Sequence, residues 1–147
     1  MPSTHLSLHY HIVFSTKGRS RTIAEPWREE LHAYIGGILR GMDAVARSIG
    51  GTGDHVHVLT GMKATTTLSE AVRQIKRGSS AWIHQHGVHK FAWQEGYGAF
   101  TVSPSHLNKV QGYIANQAEH HRKKTFEEEY LDLLRLAGVE FDEKYLW

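Results

Sequence analysis

Cysteine is absent from this 147-residue chain, which excludes a disulfide scaffold and thiolate metal sites and is compatible with a reducing compartment. Proline is scarce, at three residues, and no apolar run approaches the roughly 20 residues that cross a bilayer. The opening, Met1-Pro2-Ser3-Thr4-His5, lacks the basic stretch and following apolar stretch of a secretory leader. A cytoplasmic protein without membrane association is therefore expected. There is also no internal repeat, low-complexity segment or linker. What remains is the composition of a folded globule, 40% apolar and 10% aromatic. The length suits one domain over 1–147, with a C-terminal helical extension from about 125 to 147.

The net charge is only +2, but it is unevenly spread. Lys17, Arg19 and Arg21 form one basic group and Arg73, Lys76 and Arg77 a second, while acids collect in Glu127-Glu128-Glu129. Such a field suits a polyanion. These six basic residues are candidates for phosphate contacts, and Trp82, Trp93, Tyr97 and Phe100 for stacking on bases. A solvated helix face and ordinary core packing are the respective alternatives.

The hydrophobic periodicity orders the elements. Leu6 to Ser15 alternates and then runs apolar, as a strand does. Pro26 to Met42 carries Trp27, Leu31, Tyr34, Ile35 and Ile38 at helical spacing. Asp43 to Gly51 and the stretch from Asp54 read as a hairpin. Thr65-Thr66-Thr67 caps a second helix containing Leu68, Val72 and Ile75. Phe91 to Val102 gives a fourth strand, bent at its glycines. A third helix starts with Ser103-Pro104-Ser105 and runs to about Arg122, and a fourth runs from Thr125 to Leu136. The order β-α-β-β-α-β predicts an α+β fold, a ferredoxin-like split β-α-β antiparallel sheet with helices on one face plus C-terminal helices.

Gly53-Asp54-His55-Val56-His57-Val58-Leu59 carries the first candidate chemistry. Side chains alternate along a strand, so His55 and His57 share a face and can hold a divalent cation if a third ligand arrives. Two half-buried, hydrogen-bonded histidines are the plain alternative. On the third helix Tyr113, Gln117 and His120 fall on one face, at i, i+4 and i+7. A phenol, an amide and an imidazole are stacked there, although a polar helix face is more often simply solvated. Asp54 is expected to serve as a turn or supporting residue.

These pieces together resemble the single-tyrosine HUH transposases of the IS200/IS605 type, including their REP-associated tyrosine transposase relatives. The resemblance covers His9 to Lys17, Asp54-His55-Val56-His57, Ile75 to Ser80, Trp93 to Tyr97 and Tyr113-Ile114-Ala115-Asn116-Gln117. It implies His55, His57 and Gln117 as ligands of Mg2+ or Mn2+ and Tyr113 as nucleophile, with His120 a possible supporting or proton-transfer group. It also implies a metal-dependent single-stranded DNA transposase and nickase that cleaves and rejoins DNA through a 5′-phosphotyrosine. The implied partners are hairpin-containing element ends and a second subunit, in a homodimer whose active site can be shared between chains. Phe126 to Trp147 matches no motif of that family. Two other functions fit the residues: a non-catalytic single-stranded nucleic-acid binder with an RRM-like sheet, and a zinc hydrolase using His55, His57 and another histidine.

Overall fold

The computed structural model describes residues 3–147. Strand β1, His9–Ser15, and strand β3, His55–Gly61, are buried along nearly their whole length, which marks them as the centre of the sheet. Strands β2, Val45–Gly51, and β4, Gly98–Thr101, flank them in the order β2-β3-β1-β4, with every pairing antiparallel. This is the sheet order of a ferredoxin-like fold, as the sequence predicts.

Alternation along β1 and β3 then divides two cores. Ile12, Phe14, Val56 and Val58 face Leu31, Ile35 and Leu39 of helix α1, Glu25–Gly41, and Val72, Ile75 and Ile83 of helix α2, Leu68–Gln85. Thr67 caps α2 by accepting from the Glu70 amide at 3.2 Å. On the opposite sheet face Leu59 packs with Leu107 and Ile114 of helix α3, Leu107–Ala115. Val13 packs there with Phe126, Tyr130 and Leu134 of helix α5, Phe126–Leu136. Helices thus cover both faces: the C-terminal helices fill the one that α1 and α2 leave. Two glycines permit this close cover. A Cβ on Gly50 would stand 2.3 Å from the Ile114 carbonyl oxygen, and one on Gly98 would stand 2.7 Å from the Tyr130 ring.

Two elements depart from the sequence reading. The fourth strand is confined to Gly98–Thr101, because side chains take the backbone groups before it. Gln94 Oε1 accepts from the Ser15 amide at 2.7 Å, and Lys76 Nζ donates to the carbonyls of Gln94, Glu95 and Gly96. Only a bridge between Thr16 and Trp93 is left of the ladder. The third helix breaks at Asn116 (φ −102°, ψ 23°) and resumes as helix α4, Gln117–His120. Asparagine tolerates such a break because its side chain competes for backbone partners.

Candidate metal centre and nucleophile

Strand β3 presents His55 and His57 side by side on the face covered by α3 to α5, and both are fully buried. Each is oriented by a partner on its inner nitrogen. His55 Nδ1 lies 2.8 Å from Asp54 Oδ1, and His57 Nδ1 lies 2.8 Å from His11 Nε2 on the neighbouring strand. Asp54 is therefore the carboxylate that fixes the His55 ring, in the manner common behind metal-bound imidazoles. The outer nitrogens converge on oxygens of the C-terminal half. His55 Nε2 is 2.8 Å from Gln117 Oε1, and His57 Nε2 is 2.9 Å from Glu129 Oε1. Gln117 itself is buried.

Two further side chains enter the same space. His121, just past α4, sets its Nε2 3.0 Å from Gln117 Oε1 and 3.1 Å from Glu129 Oε1. Ligand atoms of His55, His57, His121 and Glu129 all lie within 4.8 Å of one another. The donor set fits a divalent cation. The inner nitrogen of His55 faces a carboxylate, so its proton belongs there and its outer nitrogen is free to ligate.

Tyr113 closes the other side. Its ring stands 5.8 Å from that of His57, and its hydroxyl donates to Glu129 Oε2. Gln117 Nε2 also donates to that oxygen, at 3.1 Å. His120 Nε2 lies 3.3 Å from Glu129 Oε2 and 3.5 Å from the Tyr113 hydroxyl, so His120 borders the cluster. The carboxylate of Glu129 thus spans the histidines and the phenol.

Burial and these contacts set the protonation states. Burial pushes His57 down to about 4, and burial reinforced by the charge of His57 pushes His11 down to about 3. Both are neutral at pH 7. Burial works against charge on Glu129, but the bonds from His121, His57 and Tyr113 prevail and hold its carboxyl far below the usual range. Burial also opposes charge on His121, yet the Glu129 carboxylate lifts its pKa above the ordinary value. The Tyr113 phenol is pushed well up, first by burial and then by Glu129.

The basic candidates divide. Arg21 lines a cavity of about 310 Å3 beside Asp54, His121 and Lys124. Arg19 does not stand free: it pairs with Glu127 at 3.0 Å and lies over the Trp147 ring at 4.6 Å. Lys17 and Arg77 are exposed, Arg73 is held by Glu70, and Lys76 is taken up by backbone carbonyls. Arg73, Lys76 and Arg77 nevertheless line one groove of about 510 Å3 with Trp93 and Tyr97. Trp93 belongs to the core, where it packs on Phe14 and Phe91 and donates to Ser79 Oγ at 3.0 Å. The sheet face that an RRM leaves open is covered here, and Phe100 packs beneath α5. Stacking on an open sheet has no place in this fold.

Sequence reasoning missed His121 and Glu129. The signal for Glu129 was its position in the apolar stripe of α5, at i+3 from Phe126 and beside Tyr130, where an acid is buried among hydrophobic neighbours. It was hidden in a run of three acids that reads as a solvated face.

The fold and the cluster define an α+β protein with a buried histidine and carboxamide site beside a tyrosine. The model of the family described as "Transposase IS200 like" matches residues 4–117, and the chain belongs to that family. Among solved structures, the chain is similar to a candidate transposase from Deinococcus radiodurans, at 22% identity and a TM-score of 0.65, covering 80% of this chain and 95% of that one. It is also similar to a REP-associated tyrosine transposase bound to a REP hairpin, at 14% identity and a TM-score of 0.61, covering 82% and 73%. Among curated proteins no sequence matches.

Proposed function

We propose that this single-domain chain is a metal-dependent transposase that cuts and rejoins single-stranded DNA through a 5′-phosphotyrosine on Tyr113. The observation that carries the reading is the convergence, within one chain, of His55, His57 and Gln117 with the Tyr113 hydroxyl around the Glu129 carboxylate. His55, His57 and Gln117 would hold the cation, Mg2+ or Mn2+ by the family resemblance. Bound there, it supplies positive charge to a non-bridging phosphate oxygen and to the departing 3′ oxygen.

The chain's own groups do the rest. The Tyr113 oxygen attacks phosphorus, its bond to phosphorus forms, and the bond to the 3′ oxygen breaks. The phenolic proton passes to Glu129, which already accepts it in a hydrogen bond, and the leaving oxygen takes up a proton as the 3′-hydroxyl. Because the covalent linkage retains the energy of the broken bond, a 3′-hydroxyl can reverse the step without ATP. Neutral His55, His57 and Gln117 leave the charge of the cation undiminished by these three ligands. Lys17, Arg21 and Arg77 offer exposed cationic groups to the phosphate backbone, and Arg73 and Lys76 border the groove that Arg77 lines.

A hairpin-containing element end is the substrate this reading favours, supported by the hairpin seen with the REP-associated relative. A homodimer is part of the same reading. Labelled single-stranded DNA carrying the genomic flanks tests it: cleavage should require Mn2+ or Mg2+ and stop when a chelator is added. Cleavage that persists in chelator would overturn it.

A further inference from the structure

Glu129 and His121 lie beyond the residues 4–117 that the family model matches, yet both aim into the cluster. Their geometry calls for a positive centre. His121 Nδ1 lies 2.7 Å from the Lys124 carbonyl oxygen, which can only accept, so the ring proton sits on Nδ1. In the neutral ring the remaining lone pair on Nε2 faces two oxygens, Gln117 Oε1 at 3.0 Å and Glu129 Oε1 at 3.1 Å. His55 repeats the pattern: its Nδ1 proton points to Asp54, and its Nε2 faces Gln117 Oε1 at 2.8 Å and Glu129 Oε1 at 3.6 Å. Lone pairs aimed at oxygens repel unless a proton or a metal ion stands between them. Glu129 is held in place for this by its other oxygen, which accepts from Tyr113 and Gln117.

Resting on the metal-site reading above, we infer that His121 and Glu129 are additional ligands of the cation. With His55, His57 and Gln117 they make a site of three imidazoles, one carboxamide and one carboxylate that takes a transition-metal ion in preference to magnesium. Imidazole donors suit zinc, copper, iron and nickel, whereas magnesium favours a shell of oxygens and keeps several waters. The site has little room for such waters, since His55, His57, Gln117 and Glu129 are all buried. Glu129 also brings a negative charge that the three neutral ligands lack. A phosphate oxygen must therefore displace the Glu129 carboxylate or join the five protein ligands as a sixth.

Calorimetric titration of the full chain with Zn2+, Mn2+ and Mg2+, alongside Co2+ absorption spectra, tests the inference. The variants are H57A, H121A, E129A and E129Q, the last keeping the shape of the side chain. Far-UV circular dichroism of each metal-free variant establishes that it folds. The wild type should bind Zn2+ more tightly than Mg2+. H121A and E129A should each lose at least about 10-fold in Zn2+ and Mn2+ affinity and weaken the visible Co2+ bands, with E129Q behaving like E129A and H57A losing binding. Wild-type affinities in folded H121A, E129A and E129Q, with binding still lost in H57A, would overturn the inference and leave the function proposed above intact. Equal affinity for Mg2+ and Zn2+ would overturn it as well. Wild-type binding in H57A would instead refute the metal-site reading itself.

Discussion

The hydroxyl of Tyr113 donates to the buried carboxylate of Glu129, sixteen residues along the chain. The bond joins α3 to α5 across the face of the sheet that carries His55 and His57, so the proposed nucleophile and the proposed metal ligands already meet inside one chain.

That meeting predicts an outcome for mixed subunits. Tyr113→Phe removes the proposed nucleophile and His57→Ala a proposed ligand, and on this reading each defect lies in a site built from a single chain. Co-refolding the two variants should give no more cleavage than either alone. Recovery of activity in the mixture would show that the tyrosine acts on the partner's histidines.

A pair of glycine variants tests how tightly α3 is seated. Gly50→Ala puts a methyl group 2.3 Å from the Ile114 carbonyl oxygen, a backbone atom that cannot turn aside. It should destabilise the fold by about 1–3 kcal/mol, as overpacking does, and slow cleavage because Tyr113 precedes Ile114. Gly112→Ala meets nothing within 4 Å on an exposed helical turn, so it should be neutral or stabilising by up to about 1 kcal/mol. Denaturant melts and cleavage rates separate the two. Loss of activity in stable Gly112→Ala would indicate that α3 must bend there during the reaction.

His32 sets a pH dependence on stability. Burial, aided by the Arg28 charge, pushes its pKa from the ordinary 6.5 down to about 4, and its Nε2 has no hydrogen-bond partner. The folded state therefore resists protonation that the unfolded chain accepts. Stability should be fully present above about pH 6.5 and decline between pH 6.5 and 4, by on the order of 2 kcal/mol from this group. Buried His11 and His57 act in the same direction. Chemical denaturation at pH 7 and pH 5 in the presence of chelator measures it, with His32→Leu expected to flatten part of the decline. A pH-independent difference between wild type and variant would contradict the assignment.

Much of this architecture is legible in the sequence, and the exceptions share a cause. The alternation of His11-Ile12-Val13-Phe14 and His55-Val56-His57-Val58 is local, and it gave both central strands and the direction of the two histidines. Tyr113 and Gln117 follow from helical spacing, although the break at Asn116 does not. Phe91 to Tyr97 looks like a strand by composition but spends its backbone groups on Gln94 and Lys76 side chains, a tertiary arrangement. Glu129 and His121 become visible only when α5 folds back over β1. The apolar stripe of α5 marks Glu129 for burial, but nothing near either residue in sequence says what it meets.

The basic residues are expected to contribute unequally to DNA affinity. Arg21 and Arg77 stand exposed at cavities, whereas Arg19 is held by Glu127 and Trp147. Arg21→Ala and Arg77→Ala should each weaken single-stranded DNA binding and lower the salt slope of log K by about 0.7, the value for one lost phosphate contact. Arg19→Ala should change the slope less. Identical slopes in the wild type and in Arg21→Ala and Arg77→Ala would remove those residues from the interface.

The most direct test of the central claim is a denaturing gel of labelled single-stranded DNA incubated with the protein and Mn2+. Wild type should yield a slow band that is destroyed by protease and absent in chelator, and Tyr113→Phe should yield none while keeping its fold and its metal affinity. A protease-sensitive adduct of undiminished intensity in Tyr113→Phe would contradict the account, since another residue would then be the nucleophile.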